Sequence, residues 1–221
     1  MFLGSRGRGL ALILIAVSAA ASASDVPPPQ SLNDAIDVTA TVVSDPLRIL
    51  KFGDFEAKFE DTTLDQIRER FAAGSLAHRG DAAGSIYWLC YSIPRQIIWV
   101  GSHGEMGGSE HALTNVFAEE VDASDPRLIS CPSIPMKLRP PSLTFGWLGS
   151  SRTAVESALG PPSGSHGDWL QFLYEGKVPG PYRGPGETES HVVDYDVMAY
   201  IELRIHNNRV VAFHASHITS Y

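Results

Sequence analysis

Apolar and polar positions alternate in short segments separated by Gly, Pro and Asn. Asp37–Ser44 (DVTATVVS) alternates and is β-branched, which predicts a strand. Leu47–Phe59 (LRILKFGDFEAKF) mixes apolar and charged positions around Gly53, which predicts extended structure with a bend. Thr62 or Thr63 then caps a short helix carrying Leu64, Ile67 and Phe71 on one face, with Gly74 as its stop. SIYWLCYSI, RQIIWVG and ALTNVFAEEV predict three strands, the last two flanking a glycine-rich loop.

From Asp122 to Pro141 the chain is rich in Pro and Ser and reads as a linker held down by Cys131. The pattern then restarts. LTFGWLGSS leads into RTAVESALG, where Ala154, Val155, Ala158 and Leu159 share a helical face. GPPSGSHG is a turn, DWLQFLYEG an aromatic strand, and MAYIELRIHNNRVVAFHAS a hairpin. Both halves thus run as extended lead, capped helix, polar turn, aromatic strand and two more strands, the order of an internal duplication. The expected class is α+β, two tandem units of short helices packed on antiparallel sheet. The bounds are a signal peptide at 1–23, an extension at 24–46, unit one at 47–122, the linker at 123–141 and unit two at 142–221.

Gly149–Pro162 (GSSRTAVESALGPP) resembles the helix signature of the SmpA/OmlA-type outer-membrane assembly lipoproteins at Gly149, Ser151, Val155, Leu159, Gly160 and Pro162. That family shares its fold with the β-lactamase inhibitor protein, itself a tandem duplication. The resemblance covers about 80 residues well and the first half loosely. It implies a sheet whose free face grips a target protein. The chain departs from the family in lacking the lipid-anchoring cysteine, and from the inhibitor in having one cysteine pair where the inhibitor has one in each half.

Charge and cysteines set the compartment. Arg6 and Arg8 precede an apolar run and Ala21-Ser22-Ala23, the layout of a cleavable secretory signal. Losing both arginines takes the net charge from −8 to −10, with 15 basic against 25 acidic residues. That balance disfavours nucleic acid. No apolar run reaches the length of a membrane span, so no membrane insertion is expected. In an exported chain Cys90 and Cys131 read most simply as a disulfide, with two free thiols or a redox pair as alternatives.

Candidate chemistry is sparse. GSHG occurs at Gly101 and at Gly164, each before an acid, Glu105 and Asp168. Consecutive residues in a turn cannot align nucleophile, base and carboxylate, so neither is assigned as catalytic. GSHGEMGGSEH lacks the Lys and following helix of a phosphate loop. His206, His214 and His217 form the one histidine cluster. A two-residue turn at Asn207-Asn208 would pair His206 with Arg209, Ile205 with Val210 and Arg204 with Val211, leaving His206 and His214 on opposite faces. Metal and cofactor are therefore not expected. The same register places Ile201, Leu203, Ile205, Val210 and Ala212 on an apolar face and Tyr200, Glu202, Arg204, Val211 and Phe213 on the other. That second face has the mixed composition of a recognition surface, or of a buried second layer. Gly176–Val197 reads as a long loop in which Tyr182 and Arg183 would anchor a partner.

The sequence thus points to a periplasmic or secreted, non-enzymatic module that binds a protein partner, as an inhibitor, an immunity-type protein or an assembly accessory. Two alternatives remain: an enzyme whose site joins His103, His166 or Glu105 across the halves, and a histidine-based metal or ligand binder.

Overall fold

The computed structural model describes residues 26–29, 38–81, 84–104, 111–183 and 188–220. The expected signal peptide, Glu105 with the rest of 105–110, and 184–187 lie outside the described residues. In chain order the elements are β1 (Ile49–Phe52), β2 (Phe55–Lys58), α1 (Leu64–Phe71), β3 (Ala77–Asp81), β4 (Gly84–Ile93), β5 (Gln96–Gly104) and β6 (Asn115–Glu120). They continue as α2 (Arg127–Ser130), a 3-10 turn (Met136–Leu138), β7 (Pro141–Ser142), α3 (Arg152–Leu159), β8 (Gly164–His166), β9 (Trp169–Tyr182), β10 (His191–His206) and β11 (Arg209–Ser220).

Eight strands form one antiparallel sheet in the order β3-β4-β5-β6-β11-β10-β9-β8, and β2-β1-β7 form a smaller one. A short helix followed by a four-stranded meander occurs twice, and the meanders meet at their last strands, β6 and β11. The expected α+β class is corrected: strand residues make up 52% and helical residues 13% of the described chain, so the fold is β-rich. Each eight-residue helix is sound locally. Thr63 Oγ1 accepts from the Gln66 N–H while Gln66 Oε1 accepts from the Thr63 N–H, and Ser151 Oγ accepts from the Ala154 N–H. Yet α1 buries only Leu64, Ile67 and Phe71, and α3 only Val155 and Leu159. Two such elements cannot form a layer over eight strands.

The small sheet and irregular segments complete that cover. Leu50, Phe52 and Ala57 join Ile134, Leu138, Phe145 and Trp147 in the main core, against Leu89, Ile98, Phe172, Ile201 and Leu203 of the large sheet. Phe71 stands edge-on to Phe52 at 4.8 Å and lies 4.5 Å from Tyr91. The 123–141 stretch is therefore more than a linker, since Ile134 and Leu138 are buried in it. The Cys90–Cys131 disulfide is present, with Cα atoms 5.2 Å apart. It holds this stretch against a second cluster on the far side of the sheet, made by Trp88, Ile97, Trp99 and Phe117.

Two further expectations are corrected. Residues 38–44 form no strand; instead the Thr41 and Val42 N–H groups both donate to the Leu173 carbonyl. Gly176–Val197 is mostly not loop, because β9 runs to Tyr182 and β10 starts at His191, in register from Tyr182↔His191 to Trp169↔Arg204. The prolines misled because they sit on an edge. Leu173 points its backbone groups outward, to Ser163 Oγ and to Thr41 and Val42, and backbone groups along a strand alternate in direction. Pro179 and Pro181 therefore occupy outward positions, where the missing N–H breaks no ladder bond. Among the described residues no helix is long and apolar enough to cross a membrane.

Candidate functional site

The site is built from the tip of the β10–β11 hairpin. Asn207 and Asn208 turn with φ of 48° and 61°, the left-handed pair that a two-residue hairpin turn needs. His206 faces Arg209 and Ile205 faces Val210, as expected from the sequence. The register then shifts: Arg204 pairs with Ala212, leaving Val211 as the extra residue of a bulge. A one-residue shift inverts every following side chain. Tyr200, Glu202 and Arg204 thus share the far face with Ala212, His214 and Ser216, whereas Phe213 turns into the main core, 4.9 Å from the Trp147 ring. Phe213 is removed from the expected surface, and Ala212 from the expected core face.

Cross-strand pairing on the far face produces three rows. One carries Gly101, Asn115, Ser216, Tyr200 and Leu173 from β5 to β9; the next carries Trp99, Phe117, His214, Glu202 and Gln171; the third carries Ile97, Glu119, Ala212, Arg204 and Trp169. The middle row is a polar floor. Glu202 is 0% exposed, Gln171 1% and His214 3%. His214 stacks on Phe117 with ring centroids 4.1 Å apart, and its Nε2 lies 3.1 Å from Asn115 Oδ1. Asn115 Nδ2 donates to Thr114 Oγ1, which makes Nε2–H the donor to Oδ1. His214 Nδ1 faces Glu202 Oε2 at 3.6 Å.

Glu202 receives a 2.9 Å bond from the Tyr200 hydroxyl, and Gln171 Nε2 donates to the Tyr200 oxygen at 2.7 Å. Burial, and then the hydrogen bond to Glu202, raise the Tyr200 pKa, so the phenol stays a donor. The floor is thus held by bonds within the protein.

The β10 end of the third row forms the accessible rim, while Ile97 at its other end is buried. Arg204 Nε donates to Asp168 Oδ2 at 2.8 Å, with both side chains about half exposed, and this hydrogen bond holds Asp168 below the usual carboxylate range. Beside them opens a cleft of ≈ 490 Å³, lined by Arg95, Glu119, Asp122, Arg204, His206 and Val211 among others. Arg127 spans its acidic wall, bonding to both Glu119 and Asp125. The structure therefore brings Arg204 and Val211 into one cleft, with Tyr200 and Glu202 behind them. Tyr182 and Arg183 lie apart: His191, the partner of Tyr182, is thirteen residue steps along β10 from Arg204, about 43 Å of strand.

The remaining histidines disperse. His103 on β5 and His166 on β8 are five strand positions apart, about 24 Å. Burial, with the nearby charge of His214, pushes the His103 pKa down. His206 shares the far face with His214 but lies four residues from its partner Glu202, about 13 Å away. His217 packs on the other side, between Asp45 and Glu60. Among the described residues no three His, Cys, Asp or Glu side chains are grouped so as to hold a metal ion. Sequence reading missed Gln171 and His214 as partners of Glu202, and Asn115 and Phe117 as partners of His214. A polar Gln171 between Leu170 and Phe172 was the readable signal, since it marks one side of β9 as different. No family model, curated protein or solved structure matches the chain.

Proposed function

We propose that the protein is an exported, non-enzymatic module that binds a protein partner through the far face of β9, β10 and β11. The observation that carries this reading is the rim of Trp169, Arg204, Asp168 and Val211 above a hydrogen-bonded floor. An arginine at the cleft, with Trp169 paired beside it on β9, supplies residue types that dominate protein interfaces. Among the described residues the one helix on this side is α2, at β5 and β6, so no helix covers β9–β11. The resemblance of Gly149–Pro162 to the inhibitor and assembly-lipoprotein fold adds to the reading, because there the sheet face grips its target. The roles that fit are inhibitor, immunity-type protein or envelope assembly accessory.

Affinity capture with wild type and an Arg204→Ala, Trp169→Ala variant, on envelope and secreted fractions, tests it. The expected outcome is a specific partner retained by wild type and weakened at least about tenfold by the variant, the loss of one good anchor. Equal capture by both, with the variant folded by circular dichroism, would remove this face as the interface. Catalysis by Glu202 and His214 is the weaker reading, since both are inaccessible to a substrate in this conformation.

A further inference from the structure

A second site lies on the same side of the sheet, three to four strands from Arg204. Trp88 on β4 and Trp99 on β5 are 2% and 0% exposed, and their indole N–H groups both donate to one acceptor, the carbonyl of Val26, at 2.9 and 3.0 Å. Val26 packs against the cluster of Trp88, Cys90, Trp99 and Cys131, and Pro28 is buried. The three residues after Val26 are all proline.

Each proline has fixed φ and no N–H, and the residue before a proline is pushed into extended conformations. Val-Pro-Pro-Pro therefore costs little entropy to hold extended and, after the Val26 N–H, offers only carbonyls to a partner. A strand edge cannot pair with it. It is recognised by aromatic surfaces that supply N–H donors, and indole is such a group. Here two indoles saturate both lone pairs of one carbonyl, on strands clamped next to the disulfide.

We propose that Trp88 and Trp99 form a binding site for an extended proline-rich peptide, apolar residue first, and that Val26–Pro29 is its resident ligand, held in cis and exchangeable. The site is independent of the rim around Arg204.

The test uses the full chain carrying Pro27→Gly and Pro28→Gly, probed with the synthetic heptapeptide SDVPPPQ. Wild type should give blue tryptophan emission that the peptide does not alter. The variant should shift to the red and regain the wild-type spectrum saturably, at one equivalent of peptide. Adding Trp99→Phe should weaken that binding by about fivefold or more, the loss of one of two hydrogen bonds, while the far-ultraviolet spectrum is kept. Pro28→Ser is the milder second variant, read by acrylamide quenching, should the double glycine change unfold the chain. Three results would overturn the proposal. The first is unshifted emission in folded variants, and the second is a red-shifted variant that ignores the peptide. The third is a wild-type dimer that the substitutions make monomeric, which would place the ligand in trans between copies.

Discussion

His217 sits between two carboxylates, with Nδ1 2.9 Å from Glu60 Oε2 and Nε2 3.2 Å from Asp45 Oδ2. Burial opposes its charge, but the hydrogen bonds to Asp45 and Glu60 outweigh it and the pKa is pushed up to about 9. Both carboxyls are partly buried, which alone would raise them, yet their bonds to His217 hold them below their ordinary values. Glu60 also accepts from the Thr219 N–H and hydroxyl, so one cluster ties β11 to the chain ahead of β1 and after β2. A raised histidine stabilises fully below its ordinary pKa of 6.5 and loses that stabilisation as pH rises through about 9. Lowered carboxyls stabilise above their ordinary values, 3.8 for Asp45 and 4.5 for Glu60, and lose it on acidification through their lowered ones. Stability from this cluster should therefore peak between about pH 4.5 and 6.5. Urea unfolding of wild type and His217→Gln at pH 6 and pH 9.5 checks this. Wild type should lose on the order of 2 kcal/mol more than the variant, and equal losses would contradict the assignment. The cluster is not legible in the sequence, since nothing in HASHITS names partners 157 and 172 residues away.

At the scale of elements, the bulge decides which residues of β11 face the rim. Val211 is the one residue without a partner in a strand otherwise paired from Arg209 to Ser220. Removing it would leave Arg204 opposite Ala212 and Phe213 in the core. The deletion should thus stay within about 1 kcal/mol of wild type, the scale of an ordinary single change. Deleting Ala215 inverts the faces of Ser216 and His217 and should cost several times more. Thermal unfolding of the two deletions distinguishes them, and a Val211 deletion as damaging as that of Ala215 would refute the bulge. The turn itself was legible, because Asn tolerates the positive φ that residues 207 and 208 adopt. The bulge was not, because RVVAF alternates equally well in either phase. Tyr200, Glu202 and Arg204 were placed correctly as a set because they precede the shift, and Phe213 was not because it follows it.

For the molecule as a whole, helix signals were readable and their weight was not. The caps at Thr63 and Ser151 are local chemistry, whereas the burial of eight strands by β1, β2, β7 and the 123–141 stretch depends on contacts far apart in sequence. The meanders were legible as strands of known order, but β3 and β8 are short and polar and were missed. The β9–β10 arm was hidden by its prolines.

Those prolines have a consequence for behaviour in a crowd. A bare strand flank is a template on which further copies can grow, and this arm would offer one of about 25 Å from Glu175 to Tyr182. Pro179 and Pro181 withhold half of the donors that an incoming strand would need there. Pro179→Thr with Pro181→Thr should leave the monomer folded but shorten the lag of thioflavin-positive assembly several-fold at high concentration. An unchanged lag would mean that other features of the arm keep copies apart. The two prolines thus act on encounters between copies rather than on the fold of one, by leaving an incoming strand without the donors it would pair with.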